Sequence, residues 1–185
     1  EAHNNLGVAY GKLGRHQEEV EAVKQAIRIR PDDVYAHDNL GVAYFTLGRY
    51  QDAIDAYKQA IRIKPDHAES HYNLGLTYGK LGSWQVAIKA YKKAIKIKPD
   101  LAEAHCDLGV AYSKLGSDIG ARDALKQAIR IKPDHAEAHY NLGVIYLKTV
   151  DKGSALEEYK ILKTLDAKLA KKLFNMIDEF NRIYQ

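Results

Sequence analysis

The sequence has few of the features that indicate a secreted, membrane-bound or disulfide-stabilised protein. It contains a single cysteine, Cys106, among 185 residues, so no intrachain disulfide can form, which fits a reducing compartment and favours the cytoplasm. No apolar run approaches the ~20 residues that a membrane-spanning helix needs, and no basic-then-apolar leader opens the chain. The formal net charge is only +4, which does not by itself indicate a nucleic-acid-binding protein.

Motifs of catalysis and metal binding are also lacking. The sequence has no phosphate-cradling glycine loop, no nucleophile with an obvious base and no isolated carboxylate pair. Five of the eight histidines recur at a fixed interval, so they stand too far apart to share one ion. His67 with His71, and His135 with His139, have one-turn spacing but no third ligand nearby. We therefore predict no enzymatic activity, no cofactor and no metal site.

The feature that dominates the sequence is an internal repeat. The motif His-x-x-Leu-Gly-x-x-Tyr returns every 34 residues, and each of the first four copies ends in one of the four prolines of the chain. These copies start at His3, His37, His71 and His105 and end at Pro31, Pro65, Pro99 and Pro133. A fifth copy keeps His139 but has Ala167 at the proline position. Such a period is typical of a solenoid that presents a surface to another macromolecule. Because the chain starts at Glu1 inside the first copy, we expect a fragment or a processed form.

Each copy has the pattern of two amphipathic helices. In the third copy, Asp66 and Glu69 predict a capping box that starts the first helix, and Gly82 predicts its end. A glycine inside a helix costs about 1 kcal/mol relative to alanine, so the repeated glycine of each first helix indicates close helix approach. The residues expected to face these glycines are Ala53, Ala87 and Ala121.

The repeat resembles the tetratricopeptide repeat (TPR), with histidine where that family has tryptophan. The matching positions are the Leu-Gly pair and its tyrosine, the alanines Ala53, Ala60, Ala87, Ala94, Ala121 and Ala128, and the aromatics Tyr57 and Tyr91. The departures are Glu19, Val23, Leu125, Val150 and Leu162. The resemblance implies one all-α domain over 1–185, a right-handed superhelical solenoid of about five helix-turn-helix repeats. Their predicted bounds are 1–33, 34–67, 68–101, 102–135 and 136–166, followed by a capping helix over 167–184.

The last predicted helix carries one apolar stripe. The stripe consists of Leu169, Leu173, Met176, Ile177, Phe180 and Ile183. We interpret this helix as a cap on the end of the array, since repeat proteins need capping units for solubility. The alternative is a docking helix for a partner.

One polar residue precedes each Leu-Gly pair, and we call these five residues the ladder: Asn5, Asn39, Asn73, Asp107 and Asn141. Primary amides both donate and accept hydrogen bonds, so a row of them can pair with the backbone of an extended peptide. Tyr72 and Tyr140 are expected beside the ladder, and Lys80, Lys114 and Lys148 are expected to form a basic margin. The ladder is similar to that of the O-linked N-acetylglucosamine transferase TPR region. The alternatives are that the amides only solvate the surface and that the lysines only complement helix dipoles.

We therefore predict a protein–protein interaction scaffold that binds an extended peptide or partner protein along the concave groove. One alternative is the substrate-recruiting arm of a larger enzyme such as an O-linked glycosyltransferase. A second is a nucleic-acid or membrane-associating scaffold that uses the lysines at positions 89–98, although a solvated face is the preferred interpretation and no nucleic acid is expected. The carboxylate clamp for chaperone tails is rejected, because only Asn39 matches its five residues. Self-association through the array ends stays open.

Overall fold

The computed structural model describes residues 2–183, and these residues form eleven α-helices and no strand. The helices are α1 (Ala2–Lys12), α2 (His16–Ile29), α3 (Val34–Thr46), α4 (Tyr50–Ile63), α5 (Ala68–Lys80), α6 (Trp84–Ile97), α7 (Ala102–Lys114), α8 (Asp118–Ile131), α9 (Ala136–Lys148), α10 (Lys152–Leu165) and α11 (Ala167–Ile183). The first ten form five contacting pairs, α1 with α2 through α9 with α10, one in each predicted repeat. The predicted all-α class and the paired-helix repeat are therefore confirmed. None of these eleven helices is long and apolar enough to cross a membrane.

The chain divides into two compact units at the boundary between Lys98 and Pro99. In the first unit α1 contacts α3 and α3 contacts α5, so the first helices of consecutive repeats are neighbours. In the second unit α7 contacts α9 in the same way, and α11 packs on both α9 and α10. The expectation of a single domain over 1–185 stays a prediction.

The starts of the first helices differ from the expected capping box. The residue before α5 is His67, whose Nδ1 accepts a hydrogen bond from the Ser70 backbone N–H at 3.3 Å. Asp66 lies one residue before the capping position. It is part of a turn that is closed by a hydrogen bond from the His67 N–H to the Lys64 carbonyl oxygen. In the preceding repeat Asp33 stands at the capping position and accepts from the Ala36 N–H at 3.1 Å. The prediction of an Asp66–Glu69 capping box is therefore wrong.

The ends of the first helices follow the expected glycine pattern. After α5 the Ser83 N–H donates to the Tyr78 carbonyl and the Gly82 N–H donates to the Gly79 carbonyl, which is the Schellman arrangement. Gly82 has a φ of +71°, in the left-handed region that glycine adopts without strain. Val150 has the equivalent position after α9 with a φ of 60°. The predicted helix end at Gly82 is confirmed, and the fifth repeat makes the same turn without glycine.

The glycines inside the first helices lie close to the paired second helix, as expected. A methyl group on Gly75 would stand 2.6 Å from the Tyr91 ring, and one on Gly41 would overlap Tyr57. The alanines were expected to face these glycines, and this was wrong for Ala53 and Ala87. Ala121 does lie against its glycine, because its carbonyl oxygen would stand 3.1 Å from a methyl group on Gly109. Ala53 and Ala87 are fully buried, but the larger side chain one turn later on the same helix covers the glycine. The absent side chain thus makes room for an aromatic ring.

The apolar side of α11 is buried against its own array. Leu173 and Ile177 pack with Leu147, Ala155 and Leu162 in one core cluster. A methyl group on Gly143 would stand 2.5 Å from Leu173, so α11 fills the position that a second-helix side chain fills in the earlier repeats. Tyr159, the residue at that second-helix position, instead lies beside Phe174 with 5.4 Å between ring centroids. Ile183 departs from the predicted stripe and is exposed.

Candidate functional site

The ladder residues all lie on first helices, but in two separate units. Asn5, Asn39 and Asn73 belong to α1, α3 and α5, whereas Asp107 and Asn141 belong to α7 and α9. Asn5 is exposed, and the other four are half-buried. The neighbouring first helix accounts for this burial in the asparagines, as their hydrogen bonds show.

Each asparagine of the ladder that follows another first helix in its unit contacts that helix. The Asn39 Nδ2 donates to the Asn4 Oδ1 at 3.0 Å, and the Asn73 Nδ2 lies 3.4 Å from the Asp38 Oδ2. The Asn141 Nδ2 lies 3.9 Å from the Cys106 sulfur, a weaker acceptor. One N–H of each amide is therefore committed to the preceding repeat. Each amide also carries a carbonyl oxygen, which is a hydrogen-bond acceptor, and a second N–H.

Cys106 has no reactive role in this arrangement. The side chain is buried, and its burial, followed by the nearby negative charge of Asp107, raises the thiol pKa to about 12. The thiolate is the nucleophilic form, so Cys106 stays an unreactive thiol at neutral pH. Its function is to pack beneath Asn141.

The tyrosines and lysines predicted beside the ladder lie on the same helices. Tyr72 is half-buried with its ring 6.0 Å from that of Tyr91, and the Tyr140 hydroxyl donates to the Met176 sulfur at 3.8 Å. Lys80, Lys114 and Lys148 are exposed at the last residues of α5, α7 and α9. The Lys148 ammonium donates to the Ser113 hydroxyl at 2.7 Å, a contact from α9 to α7.

Four of the predicted residues line one cavity of about 290 Å³ between α7, α9 and α11. Lys114, Tyr140, Asn141 and Lys148 form its polar margin. The apolar part of the lining includes Val110, Val144, Ile145 and Met176. Met176 was assigned to the cap and not to the site. The other predicted residues, Asn5, Asn39, Asn73, Tyr72 and Lys80, lie in the first unit, and Asp107 lies on α7 outside this lining.

A buried polar cluster between α3 and α5 was missed by sequence reasoning. The Ser70 hydroxyl donates to the Asp38 Oδ1 at 2.6 Å and lies 2.8 Å from the His67 Nδ1. Burial raises the pKa of Asp38, and the hydrogen bond from Ser70, the electrostatic interaction with His67 and the bond from Asn73 oppose that shift. The sequence signal that could have revealed this cluster is Asp38 itself, because the equivalent position of α1 has an asparagine.

This Ser–His–Asp cluster is not a catalytic triad. In a triad the histidine lies between the aspartate and the serine and removes the proton of the serine. Here the serine lies between the other two, and it is fully buried. The cluster therefore links α3 to α5, and Asp38 also holds the Asn73 amide.

Four of the five recurring histidines make the same backbone contact. The Nε2–H of His37, His71, His105 and His139 donates to the carbonyl oxygen of the proline six residues earlier, at 2.9–3.0 Å. The histidine therefore ties the start of its helix to the preceding loop. No group of three or more His, Cys, Asp or Glu side chains that could hold a metal ion occurs within residues 2–183.

A chain of paired helices with a 34-residue period and a polar row on its first helices belongs to the class of helical-repeat interaction scaffolds. The TPR repeat family matches residues 43–82, 80–116 and 119–150, and a second tetratricopeptide repeat family matches residues 1–33. The chain belongs to the tetratricopeptide repeat family. Proteins of this family are protein-interaction scaffolds, and the typical TPR scaffold is non-enzymatic.

Solved structures of TPR proteins share this fold. The crystal structure of MamA is 27% identical with a TM-score of 0.80, over 89% of this chain and 96% of that chain. A thermophilic TPR protein of Thermus thermophilus is 25% identical with a TM-score of 0.73, over 94% of this chain and 96% of that chain. MamA 41-end from Desulfovibrio magneticus is 22% identical with a TM-score of 0.82, over 90% and 94%, which indicates the fold alone. No curated protein matches the sequence.

Proposed function

We propose that the first-helix side of this protein binds an extended segment of a partner protein, and that the cavity between α7 and α9 is its main contact. The observation that carries this proposal is the position of Lys114, Tyr140, Asn141 and Lys148 around one apolar-lined cavity. Convergent polar groups over an apolar floor are the usual composition of a binding site.

The hydrogen bonds that tie two ladder residues to the preceding first helix support the same proposal. Because Asn39 and Asn73 are already held by Asn4 and Asp38, their amides lose little further side-chain freedom when a ligand binds. The committed N–H points each amide back toward the preceding helix, so the carbonyl oxygen is the natural acceptor for a backbone N–H of the ligand. Neighbouring helices stand ~8–10 Å apart and an extended peptide advances ~3.3 Å per residue, so each rung meets about every third residue.

The test starts from a random 12-residue peptide library displayed on phage and selected on the immobilised chain. The strongest selected peptide is then titrated against wild type, Asn141→Ala and the double variant Asn39→Ala/Asn73→Ala, with exposed Asn175→Ala on α11 as the matched control. One lost hydrogen bond per amide is worth about 0.5–1.5 kcal/mol, so the double variant is expected to bind roughly 5- to 150-fold more weakly.

The stability of each variant is measured alongside, because the bonds from Asn39 and Asn73 to the preceding helix are lost with the amides. Weaker binding at unchanged helicity supports the ladder as the contact surface. Equal binding by all variants would place recognition elsewhere, and a library that yields no binding peptide would contradict the proposal itself.

A further inference from the structure

We propose that Lys114 and Lys148 form an anchor for one Asp or Glu side chain of the bound segment, and that a neighbouring apolar side chain of the segment enters the cavity between α7, α9 and α11. This inference rests on the proposed function and names the ligand chemistry that the second unit of the protein selects. The anchor lies at the helix ends, about two turns beyond the ladder residues of α7 and α9.

The position of Lys148 is fixed by a contact that a free surface lysine lacks. Its ammonium donates to the Ser113 hydroxyl at 2.7 Å and thereby reaches from the end of α9 to the end of α7. Ser113 precedes Lys114 in α7, so the Lys148 ammonium is held beside the residue next to Lys114, and both lysines line the cavity. An ammonium group has three donors, and one bond to a hydroxyl leaves two for a carboxylate.

The charge of these two lysines is not balanced by the protein. Neither Lys114 nor Lys148 pairs with a carboxylate within residues 2–183, and no Asp or Glu lines the cavity. The lysines that follow the second helices α6 and α8 do find partners in the first turns of the first helices: Lys98 lies 3.6 Å from Glu69 and Lys132 lies 3.9 Å from Glu103. The two cavity lysines thus present positive charge that a ligand carboxylate can complement.

Complementation of the helix dipole explains only part of this arrangement. A lysine in the last turn interacts favourably with the negative end of its own helix. That effect does not require Lys148 to bond to the neighbouring helix, nor does it require a cavity beside the ammonium groups. At the equivalent position of α3, Thr46 bonds to its own helix at the Val42 carbonyl, so the paired lysines are particular to the second unit.

The size of the cavity selects the kind of ligand. A volume of about 290 Å³ lies at the lower limit of small-molecule sites, which span about 300–1,000 Å³. It accommodates one or two side chains of a peptide, and its inner lining of Val144, Ile145 and Met176 favours an apolar one. The expected recognition element is therefore an acidic residue beside an aliphatic or aromatic residue in an extended segment.

The experiment uses the full chain and the phage-displayed 12-residue library. Wild type is expected to select peptides with Asp or Glu next to an apolar residue. The double variant Lys114→Gln/Lys148→Gln is expected to lose that acidic preference, whereas Lys132→Gln, which removes the same kind of charge from an exposed pair outside the cavity, is expected to keep it. Replacing the acidic residue of the best wild-type peptide with its amide should weaken binding to wild type about tenfold and leave binding to the double variant nearly unchanged.

Each remaining outcome contradicts the anchor in a different way. Wild-type peptides without an acidic preference, or an equal loss from the amide peptide in both proteins, would overturn the anchor and leave peptide binding by the ladder intact. If Lys132→Gln loses the acidic preference as completely as the double variant does, the preference depends only on net charge, and this also overturns the anchor. If wild type selects no peptide at all, the anchor and the proposed function fall together.

Discussion

At the scale of single residues, Val150 is the clearest misfit in the structure. It adopts a φ of 60° at the turn where four earlier repeats have glycine, and its side chain is 62% exposed. A left-handed conformation costs a residue with a Cβ about 1–2 kcal/mol. Replacing that residue with glycine removes this cost, but the larger conformational entropy of glycine in the unfolded chain offsets part of the gain. We expect Val150→Gly to raise the free energy of unfolding by about 1 kcal/mol, measured by urea denaturation.

The reverse substitution is the matched control for Val150. Gly116 has a φ of +75° with no atom near the place of a Cβ, so Gly116→Val changes the backbone preference without a clash. We expect it to destabilise the protein by about the same amount. A Val150→Gly protein that unfolds at lower urea than wild type would show that the valine side chain contributes more than the turn costs.

His139 gives the stability a dependence on pH. Its Nδ1 lies 2.6 Å from the Glu158 Oε2 while its Nε2 bonds to the Pro133 carbonyl, so both ring nitrogens face acceptors. The hydrogen bond to Glu158 raises the pKa of His139 above its ordinary value, and burial opposes the shift. The pair therefore contributes its full stability below the unfolded-state pKa of about 6.5, and the contribution disappears as the pH rises through the folded-state pKa.

The measurement compares wild type with Glu158→Gln by urea denaturation from about pH 5.5 to about pH 9, a range that brackets the ordinary histidine pKa. We expect the difference in free energy of unfolding to be largest at the acidic end and to shrink toward the alkaline end. Wild type alone cannot isolate this effect, because burial lowers the pKa of His71 and thereby makes the protein lose stability as the pH falls. Both proteins contain His71, so its contribution cancels in the difference between their free energies of unfolding. A difference that stays constant with pH would refute the charged His139–Glu158 pair.

At the scale of helices, α11 acts as the cap of the fifth pair. Leu173 is fully buried against α9, whereas Phe174 beside it is 47% exposed. Truncating a buried leucine costs about 2–5 kcal/mol, so Leu173→Ala is expected to destabilise the protein by about 3 kcal/mol and Phe174→Ala by much less. Deleting residues 167–185 is expected to lower the melting temperature and promote association, because it exposes the cluster around Leu147 and Leu162.

Melting curves and light scattering check these variants. Similar losses from Leu173→Ala and Phe174→Ala would contradict the packing of α11 on its own array. A truncated chain that melts like wild type and stays monomeric would show that the cap interpretation is wrong.

The helices themselves could be predicted because their signals are local. Periodic apolar residues, together with a turn glycine and a closing proline in each of the first four repeats, were enough to locate the repeats and the final helix. The residues that meet across helices could not be predicted in the same way. Ala87 and Tyr91 share one face of α6, and periodicity alone does not tell which of them covers Gly75. The bond from Asn39 to Asn4 joins residues 35 positions apart and depends on the distance between helices, which no local pattern encodes.

At the scale of the whole molecule, the distribution of charge separates a peptide-binding scaffold from one that binds nucleic acid or lipid. The exposed lysines of α6, such as Lys89 and Lys93, form a basic stretch outside the cavity, and the net charge of the chain is only +4. A protein that neutralises many phosphates loses about 10³- to 10⁵-fold in affinity between 50 and 200 mM salt. An anchor of two lysines beside an apolar cavity neutralises about one carboxylate, so its binding depends on salt far less.

We therefore expect the selected peptide to bind with at most a severalfold loss of affinity between about 50 and 200 mM salt. Polyuridylate and vesicles of anionic phospholipid, titrated over the same range, are expected to bind weakly at the low-salt end and not measurably at the high-salt end. Lys89→Glu/Lys93→Glu is the matching variant: it should abolish any residual binding of these polyanions and leave peptide affinity unchanged. Tight polyanion binding that persists at the high-salt end and disappears in this variant would instead identify the lysines of α6 as the functional surface and the cavity between α7 and α9 as secondary.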